Sequence, residues 1–326
     1  MNQDSNAILT LCSHISAGDG IFPLEPKEYS QLAATLYRAG KFPRDILGFT
    51  ADDFKVYLNS SPEEIERIQR LLDRNASLSF ALSEYRNMGI EAITRADSCY
   101  PQKLKKKLSN GCPPIFYCAG DLSLLKSVYI GYVGARTVSE ADSSFAKEAV
   151  DRTTALGYGV VSGGAKGIDT ISGVQALMNG AKVIEYLSDS MLKKLKKSDT
   201  VRYIQDGKLL LMSVAKPDAA FHVGFAMMRN RYIYAQSEAT VVVRADLNKG
   251  GTWAGAVENL KKKWCPTLCW DHSYRGNQAL IQKGAFPILA DWDGSIPELI
   301  LSENTENPDQ YEQTSLFDLW QYRTEK

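Results

Sequence analysis

The sequence has few of the residue patterns that build metal sites, disulfide frameworks or membrane spans. Its 326 residues include six cysteines and three histidines. No cysteine pair has C-x-x-C spacing, and the histidines are scattered rather than grouped in a metal or catalytic motif. The apolar runs are short, as in Thr240-Val241-Val242-Val243, so no segment could cross a bilayer. We therefore expect reduced, mostly buried thiols, no bound metal and no membrane span.

An excess of either charge is also missing. Lys and Arg number 38 and so do Asp and Glu, which makes the formal net charge zero. This balance excludes a surface covered with positive charge, but it allows a local basic groove, because affinity depends on where charges lie. Residues 1–5 lack the basic start and apolar stretch of a secretion signal, so we expect a cytoplasmic protein.

Composition divides the chain into three parts. Residues 1–95 show helical spacing of apolar residues and N-cap signals at Thr50 and Ser61, which predict a small helical domain of the SAM or helix-hairpin-helix kind. Residues 96–295 alternate apolar strands with amphipathic helices. This predicts an α/β fold, an extended Rossmann-like parallel sheet with helices on both faces. Residues 296–326 are acidic and predict a flexible tail.

Three strand-to-helix junctions carry glycines and cations, and the ligands of such sheets lie at this edge. Glycines let the backbone approach a ligand closely, and the helix that follows directs free N–H groups and a positive dipole toward an anion. The spacing matches neither G-x-G-x-x-G nor a P-loop, so we predict a phosphate site of another kind. Its predicted residues are Gly134, Arg136, Ser162, Gly163, Gly164, Lys166, Gly167, Asp169, Gly250, Gly251 and Thr252.

A fourth candidate is the run Met228-Arg229-Asn230-Arg231, which precedes a helix predicted over residues 232–237. Two arginines flanking an asparagine offer hydrogen-bond donors that suit phosphate oxygens. The alternative is an exposed helix start or an internal salt bridge, since most surface charges are simply solvated. Both interpretations stay open at the level of sequence.

Taken in order, these motifs resemble the DprA (Smf) family over about residues 90–290. The resemblance implies an extended Rossmann-like fold in a homodimeric, non-enzymatic protein without cofactor. It also implies binding of single-stranded DNA and loading of the recombinase RecA in recombination and natural transformation. The motifs that carry it are Tyr100-Pro101, Val133-Gly134-Ala135-Arg136, Ser162-Gly163-Gly164-Ala165-Lys166-Gly167-Ile168-Asp169, Arg229-Asn230-Arg231, Gly250-Gly251-Thr252 and Gly276-Asn277-Gln278-Ala279-Leu280-Ile281.

The resemblance also assigns roles to individual residues. Arg136, Lys166, Arg229 and Arg231 would contact the DNA backbone, and the three glycines of the second junction would shape the pocket. Bases of the strand could stack on an aromatic ring. For that role we consider Tyr232 and Trp253.

The sequence departs from the family pattern in several places. Gly173 stands where the family commonly has a histidine, and Ser188-Asp189-Ser190-Met191 replaces a usual Tyr-Pro. Lys249-Gly250-Gly251-Thr252 replaces a Ser-Gly-Ser loop, and we expect no C-terminal winged-helix domain. We therefore expect a divergent member, for which DNA binding is a firmer expectation than a role in competence.

A second function class uses a similar fold. Nucleotide phosphoribohydrolases of the lysine-decarboxylase-like type carry a Gly-Gly-x-Gly-Thr loop, similar to the run 250–255 here, so a nucleotide sensor or hydrolase using the same pocket is the alternative. Such an enzyme needs a carboxylate at the reacting sugar. Gly255 takes the place of its catalytic glutamate, and only Asp169 and Glu258 lie nearby.

The acidic tail contains the run Gln313-Thr314-Ser315-Leu316-Phe317, which resembles the peptide that binds the bacterial sliding clamp. Leu316 and Phe317 would fill an apolar groove on the clamp, and Gln313 would hydrogen-bond at its rim. The alternative is a tail helix that packs these apolar side chains on its own domain.

Overall fold

The computed structural model describes residues 2–18, 20–58 and 60–296. It divides them into two compact units, one formed by residues 2–118 and 214–216, the other by residues 119–213 and 217–296. The acidic tail from residue 297 onward lies outside the described residues, and so does the predicted clamp-binding motif Gln313, Leu316 and Phe317.

The first unit is mostly helical, as predicted. Its helices begin where the sequence carries capping signals: the Thr50 hydroxyl accepts from the Asp53 N–H, and the Ser61 hydroxyl accepts from the Glu64 N–H. The elements are α1 (Gln3–Cys12), α2 (Pro26–Arg38), α3 (Ala51–Asp53), α4 (Pro62–Asp73), α5 (Asn75–Asn87), β1 (Glu91–Thr94), α6 (Gln102–Leu108) and β2 (Ile115–Ala119), with 3-10 helices Pro43–Gly48 and Ser109–Gly111 and a π-helix Phe54–Leu58.

One short stretch corrects the prediction for residues 1–95. Glu91–Thr94 is a strand that pairs antiparallel with β2, with Ile93 opposite Phe116. Four residues are too few to show a strand period in the sequence. The strand is therefore defined by its pairing partner, which lies more than twenty residues further along the chain.

The second unit alternates strands and helices, and this confirms the predicted α/β fold. All of its strands except the edge strand Phe286–Ile288 are buried on both faces, as expected for a parallel sheet covered by helices. The elements are β3 (Tyr129–Val133), α7 (Glu140–Ala155), β4 (Gly159–Ser162), α8 (Ile168–Met178), β5 (Val183–Tyr186), α9 (Met191–Leu195), α10 (Ser198–Gln205), β6 (Leu209–Ser213), α11 (Val223–Gln236), β7 (Ala239–Val242), α12 (Gly250–Lys262), β8 (Thr267–Trp270), α13 (Arg275–Gln282) and β9 (Phe286–Ile288), with a 3-10 helix Leu122–Lys126.

The strand order in this unit is β6-β5-β4-β3-β7-β8-β9, with all neighbours parallel. Ile130 of β3 lies between Val160 of β4 and Ala239 of β7. The chain builds outward from β3 to β6 and then returns through α11 to the other side of β3. Such a reversal opens a crevice outside the carboxyl ends of the two central strands, where ligands of these sheets bind.

Two helices begin earlier than the sequence predicts. Helix α11 starts at Val223, capped by the His222 ring, and not at Tyr232. Its apolar residues lie nearly all around it, so no one-sided helical period marks its start. Helix α12 starts at Gly250, within the glycine run that was predicted to precede it, because tertiary packing overrides the low helix propensity of two glycines. The Arg-Asn-Arg and Gly-Gly-Thr runs therefore lie within helices.

The cysteines agree with the sequence analysis. All six are free, and five are buried while Cys99 is exposed. Burial raises the pKa of Cys269 to about 12. Among the described residues, no helix is both long and apolar enough to cross a membrane. In the same part of the chain, no group of three or more His, Cys, Asp or Glu side chains is placed to hold a metal ion.

Candidate functional site

A groove of about 750 Å³ lies outside the carboxyl ends of β3 and β7. It is formed by the loop after β3, the loop before α8, the start and one side of α11, the loop after β7 and the first turn of α12. The predicted residues that line it are Gly134, Arg136, Lys166, Asp169, Arg229, Asn230, Gly250, Gly251 and Thr252. The remaining predicted residues of the described chain, which are Ser162, Gly163, Gly164, Gly167 and Arg231, lie behind or beside this lining.

A buried ion pair joins two walls of the groove. Arg229 Nη1 of α11 lies 2.9 Å from Asp169 Oδ2 of α8, and each side chain is only 7% exposed. The guanidinium occupies the space beside Gly163, where any Cβ would overlap Arg229 Nη1. Of the two sequence interpretations of Arg229, the structure shows the internal salt bridge. Its charge is compensated by Asp169, so its first role is to hold α11 against α8.

The three residues of the Arg-Asn-Arg run point in different directions, because successive residues of a helix are about 100° apart. Arg229 faces inward. Asn230 Nδ2 donates to the Gly251 carbonyl at 2.9 Å and lines the groove. Arg231 is exposed and pairs with Glu258 at 3.0 Å, outside the lining. The run therefore presents Asn230 and one edge of Arg229 to a ligand.

The side chain of Ser162, at the end of β4, holds the loop that follows this strand in place. The Ser162 hydroxyl donates to the Asp169 carbonyl at 3.1 Å and accepts from the Gly164 N–H at 3.4 Å. Both contacts fix the turn that leads from β4 into α8. Ser162 and Gly164 thus shape the groove without reaching its surface.

Gly167 lies where two loops meet. It is the N-cap of α8, with φ +84° and ψ −133°, a conformation that is unfavourable for residues with a side chain. A Cβ here would collide with the Ala135 carbonyl oxygen and lie 2.7 Å from Arg136 Cα. A glycine at this position therefore allows the Arg136 loop to pack directly on the start of α8.

Gly173, one of the departures from the family pattern, lies beside a second ion pair, in which Glu185 is buried and Lys194 is partly exposed. A Cβ on Gly173 would lie 3.6 Å from Glu185 Oε1, so this position of α8 leaves space beside the Glu185 carboxylate. Lys194 Nζ lies 2.7 Å from Glu185 Oε2. Lys194 Nζ also donates to the Gly164 carbonyl at 3.5 Å, and this lysine does not line the groove.

Three exposed cations give the groove its charge. Arg136, Lys166 and Lys249 all line it, and no carboxylate in the described part of the chain pairs with any of them. Asp246 is an exposed carboxylate in the same lining. The N-termini of α8 and α12 lie at this edge too, and their dipoles favour an anion. Sequence reasoning missed Lys249, although it directly precedes the glycine pair.

An apolar rim completes the groove. Phe221, Val223 and Met227 line it and are 49%, 65% and 47% exposed. The Arg136 guanidinium lies over the Phe221 ring at 5.2 Å. The rings considered for base stacking are mostly buried: Tyr232 is 4% exposed and lies outside the lining, whereas Trp253 lines the groove but is only 9% exposed. No sequence period marks the rim, because it lies at the unrecognised start of α11.

Arg244 lines the groove and pairs with Asp142, which lies behind the lining. Arg244 Nη1 lies 3.2 Å from Asp142 Oδ2, and the Asp142 side chain is fully buried at the start of α7. The Ser139 N–H donates to the same oxygen at 2.8 Å. Burial raises the pKa of Asp142, but hydrogen bonds from Ser139, Tyr274 and Arg244 lower it more, so the pKa lies below its ordinary value.

This arrangement predicts a pH-dependent contribution to stability. Replacing Asp142 by asparagine should lower the free energy of unfolding near pH 7 by about 1–3 kcal/mol, as expected for charge-assisted hydrogen bonds. A carboxylate with a lowered folded-state pKa stabilises the fold above its unfolded-state pKa of about 4, and this contribution is lost as the pH falls through the folded-state pKa.

Urea unfolding of both proteins between pH 7 and pH 3 measures the effect. The gap between wild type and Asp142→Asn should narrow toward acid pH. Asp199→Asn is the matched control, because its carboxylate is 78% exposed, and this variant should follow the wild type throughout. A gap that stays constant down to pH 3 would contradict the prediction.

Comparison with known proteins places these observations in a family. The family model described as DNA recombination-mediator protein A matches residues 91–295. The chain is 29% identical over 194 residues to the DNA processing protein DprA of Streptococcus pneumoniae, covering 58% of this chain and 67% of that protein. It is 28% identical over 231 residues to DprA of Bacillus subtilis, covering 68% and 74%.

Solved structures share the fold. The X-ray structure of DprA from Streptococcus pneumoniae aligns with a TM-score of 0.63 at 19% identity, covering 86% of this chain and 99% of that one. DprA from Helicobacter pylori, described for its single-stranded DNA binding mode, aligns with a TM-score of 0.51 at 23% identity, covering 67% and 96%. At these identities the likeness shows the fold.

Proposed function

The chain belongs to the DNA recombination-mediator protein A family, whose model matches more than half of it, and we propose that it binds single-stranded DNA in the groove beside β3 and β7. Arg136, Lys166 and Lys249 line an open groove without carboxylate partners in the described chain, and this observation carries the proposal. Cations without a carboxylate partner suit the phosphates of a nucleic-acid backbone. The relative from Helicobacter pylori is described as binding single-stranded DNA.

The hydrolase alternative has less support. It needs a carboxylate placed at the reacting sugar. Of the two carboxylates considered, Glu258 lies outside the groove and pairs with Arg231. Asp169 lines the groove but is buried in its pair with Arg229. The exposed Asp246 of the lining is the carboxylate that a hydrolase would have to use instead. Because neither of the two predicted carboxylates is placed for that role, we favour a binding protein over an enzyme.

The test of this proposal is the salt dependence of binding. For Arg136→Ala/Lys166→Ala, fluorescence anisotropy of a labelled single-stranded oligonucleotide should show the slope of log K against log salt falling by about 1.4. Two lost phosphate contacts correspond to about 25-fold weaker binding at 0.1 M salt, on the same counterion-release scale. The matching duplex should bind more weakly than the single strand to the wild-type protein.

One control variant accompanies this experiment, and two results would contradict the proposal. Arg202→Ala removes an exposed arginine of α10 that is not part of the groove lining, and its binding should equal that of the wild type. Intact, folded wild-type protein that binds no single strand at low salt would reject the proposal. An unchanged salt slope in the double variant would reject the groove as the binding site.

Further partners are proposed on the family resemblance. We propose that the chain acts in the cytoplasm as a homodimer that assists RecA loading, with the tail residues Gln313, Leu316 and Phe317 contacting the sliding clamp. A pull-down of the clamp by the full chain, with and without Leu316→Ala/Phe317→Ala, tests the last contact. Sedimentation of the chain alone tests the homodimer, and sedimentation of the DNA complex with and without RecA tests the contact with RecA.

A further inference from the structure

A stack of flat side chains runs from the interior of the second unit to the groove. Phe145 and Trp270 are stacked with ring centroids 4.3 Å apart and planes at 6°. His272 lies 4.4 Å from Trp270, and Tyr274 lies 4.2 Å from His272. Arg244 is the last member, with its Cζ over the Tyr274 ring at 4.7 Å. The stack thus begins in the core and ends at a guanidinium.

The Arg244 guanidinium is held on one face and along one edge. Tyr274 covers the face, and Asp142 binds the edge through Nη1 at 3.2 Å. The Arg244 side chain remains 30% exposed and lines the groove. Its uncovered part therefore faces the ligand space.

The pairing with Asp142 changes what Arg244 can recognise. Because the carboxylate compensates its charge, Arg244 attracts a phosphate less than Arg136 or Lys166 does. A planar guanidinium keeps another property, since it stacks on flat π-systems and on nucleobases. The ring beneath it pre-organises that plane, so little conformational freedom is lost on stacking.

We propose that Arg244 is a base-stacking residue that receives one nucleobase of the bound strand on its uncovered face. This inference rests on the proposed single-stranded DNA binding and adds a contact to the base, whereas the exposed groove cations hold phosphates. Tyr274 acts as a positioning residue, because it touches Arg244 and not the base.

The experiment moves 2-aminopurine, whose fluorescence is quenched by stacking, along a single-stranded oligonucleotide. Wild-type protein should change the fluorescence strongly at one position. Arg244→Lys keeps the charge and the Asp142 partner but loses the plane. It should abolish the change at that position and weaken binding by about 5- to 100-fold, the range for a lost stacking contact, with an unchanged salt slope. Arg202→Lys, away from the groove lining, is the matched control.

A second arm needs no protein variant. An abasic site moved along the same oligonucleotide should weaken wild-type binding at one position, and that position should coincide with the 2-aminopurine signal. Wild-type protein that binds the strand but shows no such position, or Arg244→Lys that behaves as wild type, would overturn the inference and leave the DNA-binding proposal standing. Wild-type protein that binds no strand would overturn both.

Discussion

Replacing Asp169 by alanine should lower the free energy of unfolding of the second unit by about 3–5 kcal/mol, the cost of leaving a buried charge unpaired. Arg229 is 6% exposed as a residue, and Asp169 Oδ2 is its charged partner at 2.9 Å. Without that carboxylate the guanidinium must stay buried alone or leave the space beside Gly163. Either outcome loosens α11 from α8, which form two walls of the groove.

Tryptophan fluorescence in a urea titration measures this loss, because Trp253, Trp264, Trp270 and Trp292 all lie in the second unit. Adding Arg229→Met to Asp169→Ala should recover most of the lost stability, since the double variant no longer buries an unpaired charge. Glu258→Ala is the control. It should lower the free energy of unfolding by less than about 1 kcal/mol, because the Arg231–Glu258 pair is partly exposed. A double variant that is less stable than Asp169→Ala would contradict this account.

Gly167→Ala should be the other severe substitution. The alanine would have to adopt φ +84° and ψ −133°, and its Cβ would meet the backbone of Ala135 and Arg136. Backbone strain and overpacking together should lower the free energy of unfolding by about 3 kcal/mol or more. Because the Arg136 loop must move, we expect at least one phosphate contact to be lost. The affinity for single-stranded DNA should then fall about fivefold or more.

Gly180→Ala separates the backbone strain from the clash. Gly180 follows the other end of α8 with φ +71°, and a Cβ there has nothing within 4 Å. This variant should cost only about 1–2 kcal/mol for the left-handed conformation and leave DNA binding unchanged. The unfolding and anisotropy measurements apply to both variants. Equal losses in the two would show that crowding of the Arg136 loop is not what makes Gly167 necessary.

Local patterns were enough to predict the sheet and most of the groove. A buried strand that is followed at once by glycine and then by a helix has few alternative structures, so Gly134 and Gly163 were recognised without any contact information. Arg136 and Lys166 were predicted at this edge because a cation beside such a turn favours an anion, and both line the groove. These predictions depend on residues that are close together in the sequence.

Helix boundaries were predicted less well where apolar residues lie all around the helix and no one-sided period marks its start. The start of α11 was predicted nine residues late, at Tyr232 rather than Val223, because apolar residues surround this helix. With that start, the apolar rim of Phe221 and Met227 also went unrecognised. Only the packing of the helix on the sheet shows which of its faces is exposed.

By itself, the sequence determined that the chain forms a parallel α/β sheet with glycine-rich turns and cations at one edge, since periodicity, glycines and charged residues beside them are local properties. Only the tertiary structure decided how each charge is used. Arg229 became a buried partner of Asp169, 60 residues away, and Arg244 the end of an aromatic stack with Asp142 at its edge. The physical reason is that a charge acts through its nearest partner and its burial, and folding brings both from distant parts of the chain.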